Sequence, residues 1–491
     1  MAIANSISFS KQILRQTLLW LILGSSLMLK AQNKNLNTKI FHVGSVFGEV
    51  PAELKEDSAQ FRKIYNEELV NGKSYSNLHS LCFDIGQRLS GTAPANRAVA
   101  WGVERLKKIG LDSVYTQEVM VPHWERGAKE SGMIILKDKK VSVPLVALGG
   151  SIATPVEGIS AGIVEIKHFE ELAQMGEEKI KGKIVFYNRP FNQTFISTSQ
   201  AYGDAVPQRV FGAREAAKYG AIGIIIRSMS STTDDFPHTG IMIYGDGIKK
   251  IPAAAISTVA ADKLTEDLKT QPNLKFYFKQ NCKILPPVKS YNVVGELRGQ
   301  TYPNQIVLIG GHLDSWDLAQ GAHDDGTGIV QSMEVLQLYK ALGIRPQRTI
   351  RVVFFMSEEN GSAGGQKYAQ IAEAKTNETH IAAIESDEGG FTPRGFEITT
   401  SEAYKPKFES WKPLFVAYGS AEFKYSDGGG GADIEGLKPC SALIGYNDDN
   451  QRYFDIHHTA NDLFSQVNAR ELKLGAASIT SLVYLLDKYG L

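Results

Sequence analysis

The sequence has little cysteine, no net charge and only short apolar runs. Three cysteines in 491 residues cannot form a disulfide framework, and none belongs to a CxxC metal-binding pair. The apolar run within residues 17–29 is shorter than the roughly 20 residues that a membrane-spanning helix needs. Lys plus Arg and Asp plus Glu both number 53, so the net charge does not favour nucleic acid or an anionic membrane surface as a partner.

The amino-terminal 31 residues have the pattern of an export signal. They contain Lys11, Arg15 and Lys30, a short apolar core and no acidic residue, and the small residue Ala31 precedes Gln32. We therefore expect residues 1–31 to be a cleaved signal peptide. The mature protein is then secreted or periplasmic and has no stable insertion in a membrane.

The length of the chain predicts more than one domain, and 43% apolar with 22% charged residues is typical of a globular protein. Residues 288–491 alternate between strand and helix patterns. This alternation predicts an α/β fold with a mostly parallel sheet flanked by helices. Residues 32–128, with a helix pattern over 58–81, are assigned to the same domain.

Residues 129–287 have a different pattern from the rest of the chain. Short apolar runs are broken by Gly and Pro, and one helix is clear, over residues 210–219. Short strands with few helices predict a compact, β-rich domain. We therefore expect residues 129–287 to be inserted into the α/β domain.

Residues that commonly bind metals follow the predicted strands of the carboxyl-terminal part or lie in adjoining loops. They are His312, Asp314, Asp324, Asp325, Glu358, Glu359, Asp387, His457 and His458. Open α/β sheets bind ligands beyond the carboxyl ends of their strands, so one crevice can gather these side chains. So many carboxylates close together require cations, and His with Asp and Glu but no sulfur suits zinc. One bridging carboxylate among five ligands fits two metals roughly 3.5–4 Å apart.

Two further roles follow from spacing. In the Glu358–Glu359 pair, one carboxylate can bind metal while its neighbour acts as general base on a metal-activated water. Asp314 lies two residues after His312 on an extended segment, and it can accept the second ring N–H of His312. Each motif by itself is usually a turn, a helix cap or a solvated surface. Their order and their placement at strand ends favour a metal centre.

The same segments resemble the co-catalytic zinc exopeptidases of the M28 family, in particular a carboxypeptidase-type branch with a protease-associated (PA) domain. The resemblance is carried by GGHLDSW, GAHDDGTG, FFMSEENGSAGGQKYA, ESDEGG and HHTANDLF, and by the PA-like segments KIKGKIVF, AREAAKYGAIGIII and IPAAAIS. It implies that residues 129–287 are a PA-like insert and that 288–491 contain a di-zinc site.

The resemblance also implies individual roles. His312 and Asp387 would hold one zinc, Glu359 and His458 the other, and Asp324 would bridge them. In the same way, Glu358 would be the general base, Asp314 would orient His312, and His457 would face the substrate. The peptide bond between Asp324 and Asp325 would be cis.

The sequence specifies the substrate less closely than it specifies the metal site. The branch implies short peptides, especially dipeptides, and a homodimer, whereas the wider family contains many aminopeptidases. In the glycine-rich segment 428–433, the backbone around Gly430 can approach a substrate end, and Asp433 can hold an α-amino group. Both are candidate substrate-binding residues.

Three other functions compete with a di-zinc exopeptidase. A glutaminyl cyclase of the same family would use one zinc. A receptor-like binding protein would have lost zinc ligands, but this chain keeps the five expected ligands and the base. A serine hydrolase is disfavoured because the sequence has no GxSxG motif.

Overall fold

The computed structural model describes residues 50–491. The chain divides into two compact units, Met1–Lys55 and Glu56–Leu491. The described part of the first unit contains a single 3-10 turn, Ala52–Leu54. The predicted signal peptide lies outside the described residues. Within residues 50–491, every helix is too short or too polar to span a lipid bilayer.

Two eight-stranded sheets organise the unit Glu56–Leu491. The strands are β1 (Ser113–Glu125), β2 (Ser131–Ile135), β3 (Lys140–Val143), β4 (Leu145–Ala147), β5 (Ile159–Ile166), β6 (Ile184–Tyr187), β7 (Gly223–Arg227), β8 (Ala253–Ile256), β9 (Lys275–Lys279), β10 (Lys283–Leu297), β11 (Tyr302–His312), β12 (Arg348–Phe355), β13 (Thr379–Glu385), β14 (Pro393–Thr400), β15 (Glu422–Tyr425) and β16 (Ala442–Asp448).

The helices lie between and around these strands. They are α1 (Lys55–Asn71), α2 (Ser74–Ser80), α3 (Ala93–Ile109), α4 (Phe169–Ile180), α5 (Thr198–Ala205), α6 (Pro207–Val210), α7 (Gly212–Ala217), α8 (Thr258–Thr270), α9 (Thr327–Ala341), α10 (Ala363–Ala374), α11 (Lys405–Val416) and α12 (Ala469–Tyr489). Shorter helical turns cover Leu81–Ile85, Ala322–Gly326, Asn450–Asp455 and Phe464–Gln466.

The first sheet has the strand order β1-β10-β12-β11-β13-β16-β14-β15. Its four central strands, β12, β11, β13 and β16, are parallel, as the alternation of strands and helices predicts. The strand β10 pairs antiparallel with β1 and β12, and β14 pairs antiparallel with β16 but parallel with β15, so the sheet is mixed. The predicted α/β fold, with a mostly parallel sheet flanked by helices, is confirmed. The antiparallel pairs leave no comparable signature in the sequence.

The central strands are buried on both faces. Every residue of β12 is buried, and its apolar run Val352–Phe355 is typical of a parallel strand that helices cover on both sides. Helix α9 is buried around most of its surface and packs against both the sheet and α12. This packing fixes the carboxyl ends of β11, β12 and β13 at one edge of the sheet.

The second sheet contains β2 to β9, in the order β3-β2-β9-β5-β6-β7-β8-β4. The segment between β1 and β10 therefore builds its own sheet, although the exact domain boundaries stay a prediction. The prediction of few helices in this segment is wrong, because the segment contains α4 to α8. A missed signal was Ser257, whose side chain caps α8 by accepting a hydrogen bond from the Ala260 N–H.

Two predicted helices are each divided in the structure. The helix pattern over 58–81 is interrupted at Gly72 and Lys73, between α1 and α2. The pattern over 210–219 is shared by α6 and α7, which meet at Phe211. Apolar periodicity continues across both interruptions, so it could not reveal them.

Candidate active site

The carboxyl-terminal edge of the central strands gathers the predicted metal-binding residues. His312 is the last residue of β11, Glu359 follows β12 and Asp387 follows β13. Asp324 lies in the turn Ala322–Gly326, and His458 follows the turn Asn450–Asp455. Three overlapping groups have ligand atoms that all lie within 4.8 Å of one another: Asp324 with His457 and His458, His312 with Asp324 and Glu359, and His312 with Asp325 and Asp387.

One set of donor atoms surrounds Nε2 of His312. This nitrogen lies 3.1 Å from Asp387 Oδ1 and 3.2 Å from Asp324 Oδ1. The other ring nitrogen, Nδ1, lies 3.0 Å from the backbone carbonyl oxygen of Asp314. If Nδ1 carries the proton and donates to this carbonyl, Nε2 presents its lone pair to the carboxylates and to any cation between them.

A second set of donor atoms surrounds Nε2 of His458. This nitrogen lies 3.0 Å from Glu359 Oε2 and 3.3 Å from Asp324 Oδ2. The two carboxylate oxygens of Asp324 thus face the two sets separately, one towards His312 and the other towards His458. This is the arrangement that a carboxylate bridging two metal ions requires.

The donor geometry fits zinc. Donor atoms about 2.0 Å from a tetrahedral zinc ion lie roughly 3.3 Å from one another, close to the contacts of both sets. One buried carboxylate oxygen in these sets, Glu359 Oε1, has no hydrogen-bond partner among the described residues. A buried oxygen without a partner is costly, and a bound cation would satisfy it.

Burial and neighbouring charges strongly shift the pKa values of the site residues. Burial opposes ionisation of Asp324, but hydrogen bonds from His312 and His458 hold its pKa well below the ordinary value. Burial, together with repulsion from Asp324, raises the pKa of Glu359 to about 7. Burial lowers the pKa of His458, but Glu359 and Asp324 outweigh it and raise this pKa to about 10. The cluster therefore holds protons when no metal displaces them.

Glu358 lies beside the two donor sets and lines a cavity of about 440 Å³ with Asp324, Glu359 and Asp387. Burial, followed by repulsion from Asp387 and Glu359, raises its pKa well above the ordinary value. A carboxylate that faces the cavity next to the metal-binding atoms is in the position that a general base requires.

Asp314 does not orient His312 in the predicted way. Its carboxylate Oδ1 is 3.9 Å from His312 Nδ1, whereas its backbone carbonyl is the atom at 3.0 Å. The carboxylate instead accepts hydrogen bonds from the backbone N–H groups of Ser357 and Glu358, at 2.7 and 3.1 Å. Asp314 thus supports His312 through its main chain and fixes the backbone of the predicted base through its side chain.

Two aspartates were not assigned a role from the sequence. The peptide bond between Asp324 and Asp325 is cis, as the family resemblance implies. Asp325 accepts hydrogen bonds from the backbone N–H groups of His312, at 2.9 Å, and Gly328. Asp462 accepts from the backbone N–H groups of His323 and Asp324, at 2.8 and 3.2 Å. The spacing of residues in the sequence does not indicate the contacts of Asp325 with His312 or of Asp462 with His323 and Asp324, because these contacts form only in the folded chain.

His457 stacks on His458, with ring centroids 3.5 Å apart, and its Nε2 lies 3.8 Å from Asp324 Oδ2. Burial and the neighbouring His458 lower its pKa well below the ordinary value, so its ring is neutral. His457 also lines the cavity. Its predicted role towards the substrate is therefore compatible with its position.

The inserted segment supplies one wall of the cavity. Tyr202 of α5, Arg209 of α6 and Ile241 line it. The Thr239 backbone also contacts His458: its N–H donates to the His458 carbonyl at 3.0 Å, and its carbonyl lies 3.3 Å from His458 Nδ1. The insert therefore both lines the cavity and contacts a candidate metal-binding histidine, which the sequence did not indicate.

The two predicted substrate-binding residues do not line this cavity. Asp433 is buried behind Glu385, to which its backbone N–H donates at 3.0 Å, and both of its carboxylate oxygens lack hydrogen-bond partners among the described residues. Gly430 lines a neighbouring cavity instead. This placement does not provide a direct contact between Asp433 and a substrate amine.

Comparison with known proteins finds peptidases among the relatives of this chain. Residues 292–481 match Peptidase family M28. Carboxypeptidase Q from Bos taurus is 35% identical over 459 residues, which cover 90% of this chain and 93% of that protein. A peptidase M28 precursor from Shewanella amazonensis SB2B has a crystal structure with a TM-score of 0.84 and 32% identity, covering 88% of this chain and 97% of that chain.

A zinc aminopeptidase from Bacillus subtilis shares the fold at a TM-score of 0.60 and 20% identity, covering 84% of this chain and 94% of that chain. The fold, the donor sets and the similarities together define a metallo-exopeptidase. The chain belongs to peptidase family M28. The family predicted from the sequence motifs is thereby confirmed.

Proposed function

We propose that this protein is an exported exopeptidase that binds two zinc ions and hydrolyses short peptides, especially dipeptides, with recognition of a free carboxyl terminus. The observation that carries the proposal is the position of Asp324 between two donor sets. His312 and Asp387, 3.1 Å apart, would hold one zinc, and Glu359 and His458, 3.0 Å apart, would hold the other. Two sets disfavour the single-zinc cyclase considered above.

The reaction is peptide hydrolysis. Zinc bound in these sets supplies a Lewis acid for the scissile carbonyl and lowers the pKa of the attacking water. Glu358 accepts the proton of this water and then gives it to the leaving amine. Asp314 keeps Glu358 in place through its hydrogen bond to the Glu358 backbone. The neutral ring of His457 is available to hydrogen-bond the substrate at the cavity wall.

Arg209 supports recognition of a carboxyl terminus. Its side chain is buried, with 5% of the residue exposed, and it lines the cavity beside His458. Among residues 50–491, no carboxylate forms an ion pair with it, and its Nε has no hydrogen-bond partner. Its Nη1 lies 3.4 Å from His458 Nδ1.

The tautomer of His458 leaves Arg209 without an acceptor. If His458 binds metal through Nε2, its Nδ1 carries the proton, and this N–H donates to the Thr239 carbonyl. The same Nδ1 cannot then accept a hydrogen bond from Arg209. A buried guanidinium without an acceptor is unfavourable, and a substrate carboxylate would supply two acceptors.

The proposal is tested with Arg209→Gln and paired substrates, a dipeptide and its carboxyl-terminal amide. We expect kcat/KM for the free dipeptide to fall roughly 10- to 100-fold, because a hydrogen bond to a charged group is lost, while the amide changes little. Arg227→Gln is the control, since Arg227 pairs with Asp262 outside the cavity. An equal loss on both substrates would refute carboxylate recognition.

Export follows from the pattern of residues 1–31. Expression of the full chain with an intact secretory pathway should give a mature protein that begins at Gln32, as measured by amino-terminal sequencing. A mature protein that retains residues 1–31 would contradict the proposed cleavage.

A further inference from the structure

A second cavity opens beside the active-site cavity. Its volume is about 240 Å³, and it shares Asp387 and Glu388 with the active-site cavity. Glu385 and Glu397 also line it, and its remaining wall is formed by glycine backbone and uncharged side chains. Four carboxylates therefore face a space whose lining includes no lysine, arginine or histidine.

Glu385 is the most informative of these residues. Only 2% of it is exposed. Its Oε2 accepts hydrogen bonds from the backbone N–H groups of Asp433 and Ile434, at 3.0 and 3.1 Å, whereas its Oε1 has no partner among the described residues. Glu385 lines the cavity, and a buried carboxylate oxygen without a partner is costly unless a ligand satisfies it.

The glycine segment packs closely against this carboxylate. A Cβ atom on Gly431 would lie 2.3 Å from Glu385 Cδ, and one on Gly430 would lie 2.5 Å from the Ile444 backbone nitrogen. Both glycines have positive φ, at 149° and 80°, so a larger residue would be disfavoured there. A side chain at either position would therefore collide with neighbouring atoms, so the cavity wall requires glycine there.

The spacing of the carboxylates does not match a compact metal site. None of the three clusters with ligand atoms within 4.8 Å, among the described residues, contains Glu385, Glu388 or Glu397. A larger cation with several N–H donors can reach separate carboxylates, as an ammonium group does. Of the biological cations that reach a peptidase site, the ammonium group of a peptide has this chemistry.

We propose that this acidic cavity is a subsite for an ammonium group of the substrate, on the amino-terminal side of the scissile bond. The proposal rests on the proposed function. A peptide whose carboxylate lies at Arg209, beside His458, would extend its amino-terminal part past Asp387 and into the acidic cavity. The ammonium belongs either to the α-amino group or to a lysine side chain.

The test uses Glu397→Gln, because Glu397 lies on β14, away from the metal-binding residues. The substrates are Lys-Ala, norleucyl-Ala and hexanoyl-Ala, which differ by the side-chain and α-ammonium groups. A roughly tenfold fall in kcat/KM for Lys-Ala alone would assign the cavity to a lysine side chain. Equal falls for Lys-Ala and norleucyl-Ala, with hexanoyl-Ala unaffected, would assign it to the α-amino group. Equal effects on all three substrates would overturn the proposal.

Two controls make this test specific. Glu402→Gln removes an exposed glutamate that pairs with Lys405, and it should not change the relative rates. Glu388→Gln, a second wall residue, should give the same pattern as Glu397→Gln. If the wild-type enzyme hydrolyses none of the substrates, the proposed function fails. Calorimetric titration of the zinc-loaded protein then tests the ammonium subsite separately. Tighter binding of lysine or norleucine than of hexanoate supports the subsite, and equal binding overturns it.

Discussion

At the scale of single residues, two adjacent glutamates have different surroundings. Both line the cavity, but Glu359 lies 3.0 Å from His458 in a candidate metal-binding set, whereas Glu358 lies beside that set. The backbone N–H of Glu358 donates a hydrogen bond to the carboxylate of Asp314, which lies just after β11. This contact fixes the backbone from which both glutamates project. Chemistry and metal binding can therefore be separated by mutation.

Replacement of Glu358 tests the base. Glu358→Gln keeps the size of the side chain but removes its ability to accept a proton, so we expect kcat to fall roughly 10²- to 10⁴-fold. Zinc content, measured by mass spectrometry of the metal, should stay near that of the wild type. Retained turnover would contradict the assignment of Glu358, and loss of zinc would place it among the ligands.

Replacement of Asp324 tests the bridge. Asp324→Ala removes a carboxylate that lies 3.2 Å from His312 and 3.3 Å from His458, so both donor sets lose a member. We expect zinc content to fall to one ion or fewer per chain, with loss of hydrolysis. Asp449→Ala, which removes a carboxylate that pairs with Arg394, is the control. Unchanged zinc content in Asp324→Ala would argue against a bridged pair.

At the scale of elements, the loop that joins β11 to the turn Ala322–Gly326 depends on one arginine. Arg88 is fully buried, at 0% exposure. Its guanidinium donates to the carbonyls of Leu313, Gln320 and Gly321, at 2.6, 2.7 and 2.9 Å. It thus connects both ends of the loop that carries the site from His312 to Asp324.

We predict that Arg88→Met weakens zinc binding without removing a ligand. Outer residues that orient metal ligands typically contribute roughly 10- to 100-fold in affinity, and a loss of this size is expected. Competition with a chelator measures it, and circular dichroism checks that the variant is folded. The exposed Arg97→Met is the matched control. Equal zinc affinity in Arg88→Met and the wild type would show that the loop is positioned by other contacts.

At the scale of the whole molecule, the metal site affects how stability depends on pH. Without metal, the pKa of Glu359 rises from 4.5 to about 7 on folding, and that of His458 rises from 6.5 to about 10. Both groups therefore bind more protons in the folded than in the unfolded chain. The free energy of unfolding then falls as pH rises through these windows.

The resulting prediction concerns the protein after zinc removal. Its Tm should decrease as pH increases from 6 to 9, whereas the zinc-loaded protein should show a weaker dependence, because zinc replaces the protons. Scanning calorimetry at several pH values, with and without a chelator, measures the difference. A metal-free protein that gains stability over this range would contradict the sign of the shifts.

Much of the fold and the metal-binding set could be predicted from the sequence. Strands β11, β12 and β13 are buried apolar runs, and the polar residues just after them are metal-ligand types. Parallel strands end at one edge of a sheet, so the position of these residues just after the strands was enough to predict that they lie close together. The motifs around Asp324 and His458 added the members that lie in loops.

Only the tertiary structure decided how these residues are supported and what surrounds them. The carboxylate of Asp314 contacts the Glu358 backbone rather than His312, and Arg209 reaches the cavity from the inserted segment. Such contacts join residues far apart in the chain, and no periodicity or spacing encodes them. The local sequence determined which side chains could serve as metal ligands, because these side chains lie at strand ends or in adjoining loops, whereas the cavities depend on how separate elements pack.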